Sequence, residues 1–406
     1  MTTTLRMTLQ ELTPSIIETL QAVFWQNVYA TKAIEQTLKL HQEWEDSKRA
    51  VFSDTIYDII RWWRPLWYII NKEPSADKED LQNIVTIYLF SKKGDLSALQ
   101  KKQGLDATQL LQRIKTTKSS RALRESVPDW LDVQGEKQLG MRWEPVLVSL
   151  NKKPEQVIRA NSLKTTTKEL LVILRKDGIL AEPIDGNPDA LCIKEKINVF
   201  KLSSFNAGLF EVQDAASQMV SRILDPRPGM RVVDACAGEG SKTLHLAALL
   251  KNKGKIIAMD TQEWRLRELQ KRAAKAGADT IETRLITSAK VYKRIQGTAD
   301  RLLLDVPCSG LGTLQRNPDI RWKLTEKDLE RLTVLQQDLL EKYCTLLKPH
   351  GIMVYSVCSI LPSEGEEQIK RFLKNHADYR LLEEKRYWPD IDQTDGFYIA
   401  CLQRTS

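Results

Sequence analysis

The chain is poor in the residues that staple proteins through disulfides or metals. It has six cysteines and four histidines in 406 residues. Cys192, Cys236, Cys308, Cys344, Cys358 and Cys401 are scattered, and no pair has C-x-x-C spacing. The histidines do not cluster with them, so neither a zinc site nor a disulfide framework is expected. Long apolar runs are also missing. A membrane span needs roughly 18 uninterrupted apolar residues. The most apolar window, IIRWWRPLWYII, is broken by Arg61, Arg64 and Pro65. The N-terminal MTTTLRMTLQ has no apolar signal core. A cytoplasmic monomer with no metal and no membrane partner is the expectation.

What is present is a long chain of several parts. At 406 residues, with 42% hydrophobic and 28% charged residues, two or three domains are expected. The net charge of +8 is uneven. Residues 1–150 hold 20 Lys+Arg against 19 Asp+Glu, whereas residues 151–406 hold 41 against 34. The basic excess of the second part suits a polyanionic partner.

Residues 1–148 read as all-helical. Thr13-Pro14 fits an N-cap and first turn. Phe52, Ile56, Ile59, Ile60 and Trp63 recur at helical spacing, and such a stripe is read as core. Residues 149–225 read as a small α/β subdomain, with strands in LCIKEKINVFKL and LFEVQ. DPRPGM then marks a boundary. Over 226–406 strands and helices alternate, which predicts an α/β fold with a mostly parallel sheet covered by helices on both faces.

VVDACAGEGSKTLHLAAL reads as strand, glycine loop and helix. Gly238 and Gly240 permit a tight turn and close approach of a ligand, and the helix start offers free N–H groups. Asp260 closes the next strand, where a carboxylate can accept ribose hydroxyls. Ser241 separates Gly240 from Lys242, which disfavours a nucleoside triphosphate, and the third glycine of a dinucleotide loop is absent. S-adenosylmethionine, which has no pyrophosphate, remains as the cofactor expected here, with a purely structural tight turn as the alternative.

Two thiols end strands of this sheet: Cys308 in DVPCSG and Cys358 in VYSVCSI. Ligands of a parallel sheet bind beyond the carboxyl ends of its strands, so both thiols and Asp305 face the cofactor region. Cys192, Cys344 and Cys401 lack this placement and read as packing. Carbon 5 of a pyrimidine is a poor nucleophile. A thiolate added to carbon 6 makes it electron-rich, and a base must later remove its proton. Two thiols and an acid suffice for that scheme.

DVPCSGLGTLQRNPDIRW and VYSVCSILPSEGEEQ resemble the motifs of the RNA 5-methylcytosine methyltransferases of the Sun/NOP2 type. RANSLKTT, LFEVQDAASQ and TDGFYIA resemble further segments of that family, so the likeness covers about residues 150–406. Residues 1–148 are similar to its NusB-like domain. The resemblance implies a class I methyltransferase Rossmann-like sheet behind a small RNA-binding subdomain. It implies Cys358 as nucleophile, Cys308 as the helper that removes the proton and releases product, and Asp305 on the polar edge of cofactor or base. Cys236, Ala237, Gly238, Glu239, Gly240, Ser241 and Lys242 would line the cofactor pocket, with Asp260 on the ribose. The substrate would be a cytosine in RNA, ribosomal RNA before transfer RNA.

The sequence departs from the family in two places. The usual CAAPGGK loop reads CAGEGSK, with Glu239 and Ser241 as replacements. Ser288 of ITSAK stands where an acid is usual, facing adenine. Arg159, Asn161 and Lys164, with Arg316, Asn317 and Arg321, suit RNA contacts, and single-stranded or loop RNA is the expected form. The helix RLRELQKRAAKA reads as a solvated face. Glu364, Glu366 and Glu367 are expected to open a helix. The rivals are a cysteine hydrolase, which would need His350 or His376, and a catalytically weak RNA-binding assembly factor on the same fold.

Overall fold

The computed structural model describes residues 3–93, 107–195 and 197–406. Two compact units emerge: Met1–Lys152 with Leu314–Glu326, and Lys153–Thr313 with Lys327–Ser406. This differs from the expected division. The small α/β stretch and the main sheet fall in one unit, and Leu314–Glu326 is built into the helical unit.

In the helical unit, Thr3–Trp25, Asp46–Arg61, Trp63–Ile70 and Lys78–Lys93 are the principal helices. Phe52, Ile56, Ile59 and Ile60 are fully buried, as their spacing predicts. Thr13-Pro14 does not start a helix but lies inside the first one. Leu9, Leu12, Ile16 and Leu20 keep one buried face across the proline. That burial outweighs the ~3 kcal/mol an interior proline costs.

The returning segment is tied into this unit by specific bonds. Ala30 N donates to Asp319 Oδ2 at 2.9 Å, and Trp322 Nε1 donates to the Ile60 carbonyl at 2.8 Å. Arg61 Nη2 donates to the Gln315 carbonyl at 2.9 Å.

The second unit holds two sheets. The smaller is antiparallel, in the order β2-β3-β1-β4, from β1 (Gln156–Ala160), β2 (Ala181–Ile184), β3 (Asn187–Ile193) and β4 (Phe210–Val212). The larger runs β10-β11-β9-β8-β5-β6-β7. It comprises β5 (Arg231–Asp234), β6 (Lys255–Asp260), β7 (Ile281–Leu285), β8 (Ala299–Asp305), β9 (Leu347–Val357), β10 (Tyr379–Tyr387) and β11 (Phe397–Arg404). Strands β5 to β9 pair in parallel, and β10 and β11 pair antiparallel.

The chain builds outward from β5 through β6 to β7, then crosses to lay β8 on the other flank of β5. The sheet's topological switch point therefore lies between β5 and β8, where open α/β sheets bind ligands. Asp234 and Asp305 end those two strands. Among the described residues, no helix is long and apolar enough to cross a membrane. Nor do any three His, Cys, Asp or Glu residues group to hold a metal ion.

Candidate active site

Val233, Ile257, Leu304 and Tyr355 are buried in the centre of the large sheet, which makes it a rigid platform. The residues with chemistry sit just past its carboxyl ends. Gly240, at φ +90°, turns the β5 loop into the helix Ser241–Leu249. A side chain at Gly240 would meet Leu269 Cγ at 2.5 Å, so glycine is required there for conformation and for space.

Asp260 ends β6 and clamps the loop. Its Oδ2 accepts from Gly238 N at 3.0 Å and its Oδ1 from Gln262 N at 2.8 Å. Asp234 is buried, and Thr243 Oγ1 donates to its Oδ2 at 2.7 Å. Its Oδ1 is buried with no hydrogen-bond partner. Burial pushes the Asp234 pKa up to about 7, and Thr243 only partly offsets this. Buried to this extent, Asp234 braces the helix after the glycine loop from within, through Thr243. Cys236, Ala237 and Gly238 are only half-buried on the same loop, so the residues present fit an adenosyl cofactor.

The two replacements in the loop are accommodated. Ser241 Oγ accepts from Arg272 Nη2 at 3.0 Å, and Arg272 Nη1 donates to the Glu239 carbonyl at 2.9 Å. The Glu239 side chain is exposed, as is Ser288 beyond β7.

Asp305 closes β8. Lys242 Nζ lies 2.6 Å from its Oδ2, and Ser356 Oγ donates to its Oδ1 at 2.8 Å. Burial works against the Lys242 ammonium, but Asp305 opposite it prevails and holds its pKa above the ordinary lysine value. Lys242 is thus turned toward Asp305, a role the loop motif alone did not assign.

Cys308 Sγ and Cys358 Sγ lie 3.3 Å apart, both half-buried. The hydrogen bond its thiol donates to Cys358, together with burial, raises the Cys308 pKa well above the usual thiol value. Cys192, Cys344 and Cys401 are buried, and burial lifts each to about 11. They pack, as expected. Burial raises Cys236 as well, with Asp234 next in effect.

Three of the six expected RNA contacts, Arg159, Asn161 and Arg321, are buried, whereas Lys164 is exposed. Arg159 is 1% exposed and its Nε donates to Gln213 Oε1 at 2.7 Å. Asn161 is buried and its Nδ2 donates to the carbonyls of Gly208 and Ala276. Lys164 Nζ donates to the carbonyls of Ala207 and Lys275 at 2.9 and 2.7 Å. These residues lock the small sheet's first turn onto its neighbours; Arg159 and Asn161 have no open face for a phosphate.

Arg321 is fully buried in the helical unit and donates to the Ser126 carbonyl and Asn151 Oδ1. Burial lowers its pKa to about 9. Arg316 and Asn317, both half-buried, belong to the same helical-unit segment.

Glu366 and Glu367 do open the helix Glu366–Asn375. Glu364 does not: it precedes that helix and is fully buried. Its carboxylate accepts four hydrogen bonds from three residues, including the serines that follow each thiol, a function that charge pattern alone could not reveal. The histidines lie elsewhere. His245 is bonded to Asp189, His376 to Glu341, and His41 belongs to the helical unit.

Residues 221–403 match the family model of the 16S rRNA methyltransferases RsmB/F, and residues 127–200 match a ferredoxin-like domain of RsmF/B-like methyltransferases. A probable ribosomal RNA small subunit methyltransferase B from Synechocystis sp. is 36% identical over 301 residues, covering 69% of this chain and 67% of that protein. The ribosomal RNA small subunit methyltransferase B of Serratia proteamaculans is 32% identical over 340 residues, covering 80% and 76%. The crystal structure of PH0851 superposes with a TM-score of 0.78 at 27% identity, over 98% of each chain.

Proposed function

Since the chain belongs to the RsmB/F family of S-adenosylmethionine-dependent RNA methyltransferases, we propose that it methylates carbon 5 of a cytosine in small-subunit ribosomal RNA through a covalent cysteine adduct. The observation that carries this reading is the pair of thiols 3.3 Å apart beside the Lys242–Asp305 pair.

When bound, S-adenosylmethionine supplies an electrophilic methyl on a sulfonium. Asp260 and the Cys236–Lys242 loop would hold it. Two sulfurs this close share charge poorly, so one stays protonated while the other is the thiolate. The family resemblance makes Cys358 the nucleophile, and the raised pKa of Cys308 is in keeping with Cys308 as the helper. The Cys358 sulfur bonds to carbon 6 and the ring's electron pair moves to carbon 5, which would then take the methyl as its bond to the donor breaks and the sulfonium becomes a neutral thioether. Asp305, paired with Lys242, would accept a hydrogen bond from the cytosine amino group. Once Cys358 is a thioether its negative charge is gone, and with it the main reason for Cys308 to hold a proton. Cys308 then releases that proton to water and takes the one on carbon 5. The electrons left behind re-form the ring double bond and expel the Cys358 thiolate.

Cys358→Ala is expected to lower methyl transfer to RNA by at least about 10⁴-fold. Cys308→Ala is expected to accumulate an RNA adduct that survives denaturation. An adduct in Cys358→Ala but not in Cys308→Ala would reverse the two roles. Bisulfite mapping of ribosomal and transfer RNA from a deletion strain names the cytosine. Loss of a transfer RNA mark alone would move the substrate.

A further inference from the structure

The two thiols sit on different turns, one after β8 and one after β9, yet each is followed by a serine that binds the same buried side chain. Glu364 is 0% exposed. Its Oε1 accepts from Ser309 N at 2.8 Å and from Gln336 Nε2 at 2.9 Å. Its Oε2 accepts from Ser309 Oγ and Ser359 Oγ, both at 2.5 Å. Gln336 Nε2 also donates to the carbonyl of Pro307, the residue before Cys308. From the strand below, Tyr355 donates its hydroxyl to the Glu364 carbonyl at 2.7 Å. Among the described residues no Lys, Arg or His forms an ion pair with this carboxylate. Four donors from the two thiol-bearing turns and from Gln336 compensate its burial instead.

We propose that Glu364 is a positioning residue: it draws the turns after β8 and β9 together and so sets the separation of Cys308 and Cys358. A carboxylate bridging two loops is stiffer than either loop alone, because its donors come from both and are buried. It also adds a charge effect. Glu364 contributes to the raised pKa of the Cys308 thiol, after the Cys358 hydrogen bond, burial and the charge of Cys358. One carboxylate thus fixes the spacing of the pair and favours the proton on Cys308. This inference rests on the proposed roles of the two thiols only for its meaning in catalysis; the spacing itself does not.

Dibromobimane, a reagent that bridges thiols a few ångströms apart and then fluoresces, reads the spacing without methyl donor or RNA. Wild type should be bridged between Cys308 and Cys358, assigned by mass spectrometry. Ser309→Ala with Ser359→Ala, which removes both hydroxyl donors but keeps the carboxylate, should slow bridging by about tenfold. Glu364→Ala should slow it further. Glu364→Gln, whose amide can bond both serines, should bridge within about threefold of wild type. In a Cys358→Ser background, Glu364→Gln should shift alkylation of Cys308 to lower pH, because a negative charge beside that thiol is lost.

Affinity for S-adenosylmethionine by calorimetry should stay within about twofold of wild type in folded variants. If Glu364→Ala misfolds by circular dichroism, the serine pair decides. Bridging at the wild-type rate in the serine pair overturns the positioning role. An unmoved alkylation profile in Glu364→Gln overturns the charge effect. Normal bridging in a wild-type protein that methylates no RNA would instead defeat the proposed function and leave the positioning role standing.

Discussion

Asp234 holds a proton that an ordinary aspartate would have lost. Its folded pKa, pushed to about 7 by burial, lies above the unfolded value of 3.8. The native state therefore binds more protons than the unfolded chain between those values. The stability this contributes is complete below about pH 4 and drains away as pH rises through 7. His245 acts in the opposite sense. Burial lowers its pKa to about 3, so its contribution is present above pH 6.5 and is lost as pH falls. The two slopes overlap, and a variant separates them. Asp234→Asn should lose less stability than wild type between pH 5 and pH 8, by about 2–3 kcal/mol. Urea unfolding at the two pH values measures it, and parallel losses would place the proton elsewhere.

The same scale explains which site residues were legible. Cys308, Cys358, Asp305 and Asp260 follow from strand ends, and strand ends are visible in apolar runs. Arg159, Asn161 and Arg321 were misread because a charge or amide in a polar motif suggests an exposed ligand. Their partners are backbone carbonyls and amides up to 196 positions distant, as with Arg321 and Glu125. No local pattern encodes such a bond.

Between elements, three turns are sewn together by backbone. Gly312 N donates to the Cys358 carbonyl at 3.0 Å, and Gly396 N donates to the Gly312 carbonyl at 2.8 Å. A Cβ on Gly312 would lie 1.9 Å from the Gly396 carbonyl oxygen. Gly312→Ala should therefore cost about 1–3 kcal/mol by overpacking and displace the Cys358 turn. Thermal unfolding together with adduct formation tests both effects; a stable variant with unchanged adduct rate would show the contact to be incidental.

The strands that end at VVDAC, Asp260, Cys308 and Cys358 mark β5, β6, β8 and β9 in the sequence, whereas β10 carries no such mark. Its segment, YRLLEEKRY, is exposed over most of its length. It pairs along only β11, at the sheet edge where charge protects against aggregation. A strand defined by its neighbour carries little hydrophobic period of its own.

At the scale of the molecule, sequence order and spatial grouping part company once. Composition separates a helical beginning from an α/β remainder, but nothing in LQRNPDIRWKLTE announces that it leaves the second for the first. Its helix, Ile320–Lys323, is four residues long, too short to show a period.

Covalent order and folding order are therefore different things in this protein. The first 152 residues cannot acquire their complete interior until a stretch more than 160 positions downstream exists to join them. On a ribosome they emerge with a vacancy where Ile320, Arg321 and Trp322 belong. A chain nicked between Lys152 and Lys153 should nonetheless stay associated through size-exclusion chromatography, because Leu314–Glu326 remains lodged in the first fragment. A version beginning at Lys153 should expose that segment and aggregate, unless residues 1–152 are supplied in trans. Elution of the nicked halves as separate species would show that the segment lends little to their union.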